Sequence, residues 1–265
     1  MNTDADTGSK LADDPHEPRL TFAFDDYDLP QFMRIAARFG TSEYGYVATP
    51  NVDGLIRVRE SRPFRECYSK AAFILLDSRV AALAFRLVHG VRVPVAPGSD
   101  LTAALFREVI QAEDRIVLVG STAAQAQMLR EQFGLRSLMH HDPPMGFIRD
   151  PAAVEECLRF VEEASPFRFC LIAVGDPQGV MIAHHLAERA RARGLAFIIG
   201  ASIDFITGKQ RRAPRWIQHL HLEWLYRLIN NPRRLAHRYL VRGPKFFAFV
   251  GASRVLLRPA RPPGD

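Results

Sequence analysis

Short apolar runs alternate with segments of helical spacing along most of this 265-residue chain, and no other feature limits its fold as strongly. The apolar runs predict strands, and the segments between them, such as DLTAALFREVIQ, predict helices because apolar residues recur every three or four positions. One helix is expected to begin with Asp150 as its N-cap and Pro151 in its first turn. The predicted strands cover residues 44–49, 72–76, 91–95, 115–120, 168–175 and 195–200. This alternation predicts an α/β fold with a largely parallel sheet.

Three of these strands end in glycine followed by small or polar residues: VGST (119–122), VGDPQG (174–179) and IGASID (199–204). In open α/β sheets, ligands bind at the carboxyl ends of the strands, where glycine lets the backbone approach a phosphate. Glycine is also a common turn former, but three such ends favour a nucleotide-type pocket. The chain has neither GxGxxG nor GxxxxGK[ST], so the usual dinucleotide and P-loop motifs are missing.

Positive charge is concentrated at the C-terminal end. The whole chain carries a net charge of +6, but residues 209–265 hold 13 Lys and Arg against two acidic residues. That segment therefore carries +11 and the first 208 residues carry −5. Such local basicity predicts an anionic partner for the C-terminal segment, although a solvated basic face without a partner is the alternative.

The stretch RRAPRWIQHLHLEWLYRLINNPRRLAHRYL (211–240) combines arginines with aromatic residues. From Pro214 to Ile229 its apolar positions follow three-and-four spacing, which predicts an amphipathic helix, and Asn231–Pro232 is expected to cap a second one. Most of the aromatics belong to the packed stripe, so a base-stacking platform is disfavoured and no nucleic-acid partner is expected.

Arg227, Arg234 and Arg238 remain outside that stripe, seven and four residues apart. Spaced in this way, they would converge on one side of two consecutive helices. Their guanidinium groups offer paired donors that suit a diphosphate. The stretch is therefore interpreted as an anion-facing appendage.

Composition limits the location of the chain and the other chemistry it can perform. Three cysteines without CxxC spacing argue against a disulfide framework or a zinc site, and no metal ligand set is expected from DYD (26–28) or HH (140–141). No apolar run is long enough to span a bilayer, but FFAFVGASRVLL could lie on a membrane surface. The predicted organisation is a disordered tail (1–20), an α/β core (21–208) and a basic helical, membrane-facing appendage (209–265).

Several segments resemble the WecG/TagA/CpsF family of bacterial glycosyltransferases. GASIDFITGKQRRAPRWIQHLHLEWLYRLINNPRRLAHRYL contains the family's Gly–x–x–Asp–Phe, Arg–Ala–Pro, Glu–Trp–Leu–x–Arg–Leu, Pro–x–Arg and Arg–Tyr. VATPNVDGL is similar to its Thr–x–Asn motif, and AAFILLDSRVAAL to its strand that ends in the proposed catalytic aspartate. PGSDL and HDPPMGF resemble further segments, so the resemblance spans about residues 44 to 245.

The resemblance implies an inverting, metal-independent glycosyltransferase with a Rossmann-like core and no cofactor. Such enzymes move a hexose or N-acetylhexosamine from a UDP-sugar to a polyprenyl-diphosphate-linked sugar, in exopolysaccharide, capsule or cell-wall polymer biosynthesis. The implied location is cytoplasmic, peripheral on the inner face of the cell membrane, with the basic appendage against an anionic membrane surface. The donor sugar, the acceptor, the pathway and the oligomeric state stay open, a homo-oligomer included.

The resemblance also assigns residues of the core. Asp77 matches the catalytic base, with capping of the following helix as the alternative. Thr49 and Asn51 match residues that line the sugar-nucleotide pocket, with a turn at the strand end as the alternative. Gln178 is a further substrate-binding candidate. Asp204 matches the residue that binds the ribose hydroxyls, with a cap or turn as its alternative.

In the appendage, Arg227 and Arg234 match the diphosphate-facing arginines. Arg238 is chosen over His237 as the third, because a guanidinium keeps its charge. Arg212 is expected to be another phosphate contact or to pair with nearby acids.

Four positions depart from the family pattern, of which Ser78, in place of the family's glycine after Asp77, is a tolerable variant. The family's Gln–Glu pair after the fifth strand falls on Gly179 and Val180, and an arginine before the GSD segment is replaced by Val95. These losses remove polar groups near the expected donor site, which suggests lower activity or a changed sugar preference. They motivate one rival hypothesis, a weakened paralogue that acts as a scaffold in the same pathway. A nucleic-acid-binding protein is the other rival.

Overall fold

The structure, a computed structural model, describes residues 20–210, 213, 214, 217, 222–230 and 232–259. The predicted disordered tail (1–20) and the predicted cap at Asn231 lie outside this part of the chain, apart from residue 20. Of the helix predicted from Pro214 to Ile229, residues 215, 216 and 218–221 also lie outside it, and the described segment is helical from Glu223 onward.

Strands and helices alternate along the described chain, as predicted. The strands are β1 (Thr21–Asp25), β2 (Tyr44–Ala48), β3 (Phe73–Ile74), β4 (Arg115–Val119), β5 (Ser137–His141), β6 (Phe169–Ile172), β7 (Gly194–Ile198) and β8 (Arg254–Arg258). The α-helices are α1 (Leu29–Arg38), α2 (Val52–Glu60), α3 (Arg62–Ser69), α4 (Arg79–His89), α5 (Gly98–Ala104), α6 (Ala123–Phe133), α7 (Pro151–Glu163), α8 (Gln178–Arg189), α9 (Ser202–Ile206), α10 (Glu223–Asn230), α11 (Pro232–Ala236) and α12 (Gly243–Val250). Two π-helical turns, Leu105–Val109 and His237–Arg242, follow α5 and α11, and a 3-10 turn spans Phe147–Arg149.

Six strands form one parallel sheet in the order β3–β2–β7–β6–β4–β5. Successive residues of its central strands face opposite sides: Val117 and Val119 pack into one apolar cluster, Ile116 and Leu118 into another. Both faces of the sheet are thus covered, which is why its strands are almost uniformly apolar. This Rossmann-like α/β architecture confirms the predicted fold class.

The predicted strands at 44–49, 115–120, 168–175 and 195–200 are confirmed as β2, β4, β6 and β7. The prediction of a strand at 91–95 is wrong, since only Val95 forms a single bridge, to Leu76. Pro94 lacks the N–H that a continuous ladder needs. The run at 72–76 contributes only the two residues of β3. The sequence did not predict β1, β5 or β8, none of which is a long apolar run.

The predicted start of α7 is confirmed. Asp150 is the N-cap and its Oδ1 accepts from the Ala152 N–H (3.0 Å), with Pro151 in the first turn. The DYD segment is a loop, as expected, and Asp28 forms a capping box with Gln31 at the start of α1.

The last strand of the chain pairs with the first. β8 runs parallel to β1 in a separate two-stranded sheet, with Thr21 opposite Arg254 and Asp25 opposite Arg258. Just before it, α12 packs on the core, where Phe246 contacts Phe85 with ring centroids 5.7 Å apart. The predicted boundary between the core and the appendage at residue 208 stays a prediction. The structure shows that residues 243–258, which lie in the predicted appendage, pack against the N-terminal part of the chain.

Asp25 joins the two sheets, and its removal is expected to destabilise the fold. Its buried carboxylate forms an ion pair with Arg258 and accepts a hydrogen bond from the Ile74 N–H (2.6 Å). We expect Asp25→Ala to lower the free energy of unfolding by roughly 2–3 kcal/mol, because a buried donor loses its acceptor and Arg258 its counter-charge. Urea denaturation measures this. Asp26→Ala, which truncates the exposed neighbour, is the control, and equal stabilities of the two variants would contradict the prediction.

Candidate active site

The predicted core residues of the site all follow the carboxyl ends of strands. Thr49 and Asn51 follow β2, Asp77 follows β3, Gln178 follows β6 and Asp204 follows β7. Since β3, β2, β7 and β6 are consecutive neighbours in a parallel sheet, these residues are distributed along one edge of it. The structure therefore brings the predicted residues of the core to a common edge.

Three of the polar side chains at this edge converge on Gly98, the first residue of α5. A Cβ atom at Gly98 would lie 3.5 Å from Asp77 Oδ2, 3.5 Å from Thr49 Oγ1 and 3.8 Å from Ser202 Oγ. Each oxygen comes from a different strand-end loop. Glycine at position 98 keeps the space between them open. Ser202 was not predicted, although it lies within the quoted segment IGASID.

Asp77 is half-buried and is held through its backbone, whose N–H donates to the Pro50 carbonyl oxygen (2.9 Å). The alternative role, capping of α4, belongs to its neighbour. Ser78 is the N-cap residue, and its hydroxyl accepts from the Ala81 N–H (3.1 Å). The carboxylate of Asp77 is therefore not the helix cap.

Asn51 does cap a helix. Its Oδ1 accepts from the N–H groups of Asp53 (3.1 Å) and Gly54 (3.3 Å) at the start of α2. The turn interpretation is thus correct for this residue, but capping uses only the amide oxygen, and the amide nitrogen carries two donors of its own. Thr49 Oγ1 lies 3.3 Å from the carbonyl oxygen of Ile198 and donates to it, which ties the end of β2 to β7.

A buried tyrosine holds a further carboxylate at this edge. The Tyr68 hydroxyl donates to Asp176 Oδ2 (3.3 Å). Burial and the nearby carboxylates of Asp176, Asp77 and Asp53 raise the pKa of Tyr68 well above its usual value. The ring thus stays neutral and can donate. Asp176 could have been predicted from the sequence, because it is a polar residue directly after a glycine that ends a predicted strand. No local sequence pattern points to Tyr68.

Two departures from the family pattern face the core. A Cβ atom at Gly179 would lie 3.0 Å from Ile198 Cγ2 and 3.0 Å from the Val174 carbonyl oxygen, so α8 packs closely on the sheet and a side chain here would require its neighbours to move slightly. Val180 is fully buried in the core. Both positions thus contribute to close helix–sheet packing, and their place near the donor site stays a prediction. Gln178, the first residue of α8, is half-buried, and the half-buried Val95 packs against the core.

Asp204 lies in α9 and is held by three side chains. Gln125 Nε2 donates to its Oδ1 (2.9 Å) and Gln210 Nε2 to its Oδ2 (2.9 Å). Lys209 Nζ lies 3.6 Å from Oδ1. Gln125 belongs to α6, so this network joins the loop after β4 to the loop after β7.

The C-terminal arginines are only partly described. The structure places Arg227 in α10, Arg234 in α11 and Arg238 in the π-helical turn, but their side chains and all of Arg212 lie outside the described part. Their phosphate-binding roles stay predictions.

Arg242 is a C-terminal arginine whose side chain the structure does place. Its Nε lies 3.1 Å from Asp53 Oδ1, and its Nη2 donates to Glu60 Oε2 (2.9 Å). Both acids belong to α2, the helix that Asn51 caps. This double ion pair docks the segment after α11 beside the site.

His140 and His141 end β5 and have separate surroundings. His140 Nε2 lies 3.2 Å from the Gly120 carbonyl oxygen, and the His141 ring lies 5.2 Å from that of Phe160. Neither contact involves another metal-ligating side chain. Both are contacts of residues at the end of β5, and the expected absence of a metal site here stays a prediction.

A parallel Rossmann-like sheet with hydroxyl, amide and carboxylate groups along its carboxyl edge is the arrangement with which open α/β proteins bind their ligands. The chain belongs to the glycosyl transferase WecG/TagA/CpsF family, whose family model matches residues 19–260.

Two relatives of this chain carry the same descriptive name, N-acetylglucosaminyldiphosphoundecaprenol N-acetyl-beta-D-mannosaminyltransferase. The protein from Bacillus spizizenii is 26% identical over 213 residues, which cover 77% of this chain and 78% of the relative. The protein from Bacillus subtilis is 26% identical over 196 residues, which cover 71% and 72%. The chain is thus similar to glycosyltransferases over most of its length and theirs.

Proposed function

We propose that this glycosyltransferase moves an N-acetylhexosamine or a hexose from a UDP-sugar to a polyprenyl-diphosphate-linked sugar. Family membership over residues 19–260 is the observation that carries the proposal, and the names of the two relatives support the acceptor class. The convergence of Asp77, Thr49 and Ser202 around Gly98 supports a reaction centre at the sheet edge. The pathway we propose is the synthesis of a capsule, an exopolysaccharide or a cell-wall polymer.

In the proposed reaction Asp77 is the general base. The acceptor hydroxyl oxygen attacks the anomeric carbon and loses its proton to the Asp77 carboxylate. A new glycosidic C–O bond forms as the bond to the UDP oxygen breaks, so the anomeric configuration inverts and UDP leaves. Thr49, Asn51 and Gln178 bind the donor, and Asp204 binds the ribose hydroxyls.

The departing diphosphate needs positive charge, and we assign this role to Arg227, Arg234 and Arg238, with Arg212 as a further contact. Guanidinium groups bind phosphate oxygens with paired donors and so stabilise the charge that develops on the leaving group. This arrangement makes a metal ion unnecessary.

Transfer activity should accordingly persist in excess EDTA. Loss of activity in EDTA would overturn the proposed metal independence but not the proposed transfer reaction.

The most direct test incubates the purified protein with a polyprenyl-diphosphate-linked N-acetylglucosamine and a set of UDP-sugars, with product detection by mass spectrometry. We expect one glycosyl residue to be added and UDP to be released in equal amount. Absence of transfer from every UDP-sugar would overturn the proposal. A protein that still binds its pathway partners in that case would fit the scaffold hypothesis.

We also propose that the C-terminal segment contacts an anionic membrane, which places the enzyme on the inner face of the cell membrane. Leu240, Val241 and Phe247 expose 60%, 54% and 56% of their surface, and exposed Arg233 and Lys245 accompany them. Apolar side chains among cations are typical of surfaces that lie in the lipid headgroup region. No helix in the described residues is long and apolar enough to cross a bilayer.

Loss of these apolar groups should weaken membrane binding. We expect the double variant Leu240→Ser, Phe247→Ser to bind vesicles of anionic phospholipid on the order of tenfold more weakly, because two side chains no longer enter the bilayer interface. Vesicle co-sedimentation measures this. Met145→Ser, which changes a fully exposed apolar residue outside the segment, is the control. Equal binding by both variants would contradict the proposed surface.

A further inference from the structure

Gln125 is a buried amide that connects two strand-end loops of the site. It is 5% exposed, and its Nε2 donates to Asp204 Oδ1 (2.9 Å) and to Thr207 Oγ1 (3.0 Å). Gln125 lies in α6, after β4, whereas Asp204 lies in α9, after β7, and β6 separates these two strands in the sheet. The contact therefore bridges loops that are not neighbours.

The other end of the same amide is also held. Gln125 Oε1 lies 3.2 Å from the Thr122 backbone nitrogen and 3.3 Å from its hydroxyl oxygen, and the Thr122 hydroxyl accepts from the Gln125 N–H (3.3 Å). This capping box fixes the side chain at the start of α6. A flipped amide would set its oxygen against the Asp204 carboxylate and its NH₂ against the Thr122 N–H. Only one orientation of the amide satisfies both ends.

The other contacts of Asp204 come from a more exposed segment. Gln210 donates to Oδ2, and Lys209, whose side chain is 58% exposed, lies 3.6 Å from Oδ1. An exposed ion pair of this kind holds its partners weakly. Gln125 is therefore the most buried anchor of this carboxylate among the three. A carboxylate has about four acceptor sites, so these three contacts leave capacity for a ligand hydroxyl.

We propose that Gln125 is a positioning residue that holds Asp204 in the orientation that accepts a hydrogen bond from a ribose hydroxyl of the nucleotide donor. The inference rests on the proposed function, in which Asp204 binds that ribose. A carboxylate that is already oriented loses less side-chain freedom on binding, so its preference for a ribose over a deoxyribose is larger.

The test compares affinities for UDP and 2′-deoxy-UDP by isothermal titration calorimetry. We expect the wild-type chain to prefer UDP by about tenfold, the effect of one hydrogen bond to a charged group. Gln125→Met keeps the side-chain length but removes the amide, and should reduce this preference to under about threefold. Gln127→Met is the matched control in the same helix, since exposed Gln127 contacts Glu131 (2.7 Å) and Arg130 (3.4 Å). It should keep the full preference.

A second comparison separates positioning from a general loss of structure. Asp204→Asn should also reduce the preference, and the double variant with Gln125→Met should show no further loss, because Gln125 acts through Asp204. If Gln125→Met weakens both nucleotides by the same factor, the role is structural and the inference is overturned. Undiminished preference in Gln125→Met overturns it as well, while the proposed transfer reaction still stands. A wild-type chain that binds no UDP overturns both the inference and the proposed donor class.

Discussion

Replacement of Asp77 by asparagine is expected to lower the rate of sugar transfer by about a thousandfold and to leave the affinity for UDP within about threefold. The amide has the size of the carboxylate but cannot take the proton of the acceptor hydroxyl. UDP contains no attacking hydroxyl, so its binding does not depend on this proton transfer. Initial rates with a labelled UDP-sugar and calorimetric titration with UDP measure the two quantities separately.

Ser78→Ala is the matched control for Asp77→Asn. Ser78 caps α4 through the Ala81 N–H, so its truncation should cost about 1 kcal/mol of stability and leave the transfer rate within about twofold. The pair of variants thus separates the chemical role of one residue from the helix-capping role of its neighbour. A near-normal transfer rate in Asp77→Asn would show that another group is the base.

Gly98→Ala is expected to reduce transfer by about a hundredfold without destabilising the protein. The added methyl would stand at ordinary contact distance, 3.5 Å, from Asp77 Oδ2 and Thr49 Oγ1, so it fits without a shift of the backbone. Because Gly98 is helical, alanine should keep the free energy of unfolding or raise it by up to about 1 kcal/mol. The methyl would occupy space that we assign to the reacting groups, and displacements of about 1 Å there cost on the order of a hundredfold in rate.

Thermal unfolding and initial rates of the same sample test this prediction. Gly40→Ala is the control, because position 40 lies in the exposed loop between α1 and β2 and a methyl there meets nothing closer than 3.8 Å. If the free energy of unfolding is unchanged or higher while the transfer rate falls, position 98 is part of the reaction centre. An unchanged transfer rate in Gly98→Ala would place the reaction elsewhere on the sheet edge.

Much of the fold could be predicted because it depends on local patterns. The central strands β4 and β6 are uniformly apolar, since both faces of the sheet are covered, and Asp150 with Pro151 marks the start of α7. The edge strand β5 reads Ser–Leu–Met–His–His and was missed, because an edge position needs less apolar surface. The run at 91–95 was predicted as a strand from its apolar residues, but Pro94 leaves it with one bridge.

The residues of the candidate site also fall into two groups, those that the sequence predicted and those that it did not. Thr49, Asp77, Gln178 and Asp204 could be assigned from motifs and strand ends, since residues after parallel strands share one edge of the sheet. Tyr68 and Gln125 could not, because each acts through a partner far away along the chain, and Ser202 is identified only by its position beside Gly98. Tyr68 and Asp176 are 108 residues apart, and Gln125 and Asp204 are 79 apart.

The sequence by itself determined the α/β class, the family and the strand ends at which polar groups gather, because these follow from periodicity and from short contiguous motifs. Only the tertiary structure decided that β8 returns to β1, that Arg242 docks on α2, and that three oxygens surround Gly98. The physical reason is that such contacts depend on how separate elements pack. A hydrogen bond between distant residues constrains two side chains in space and leaves no periodic trace in the sequence around either of them.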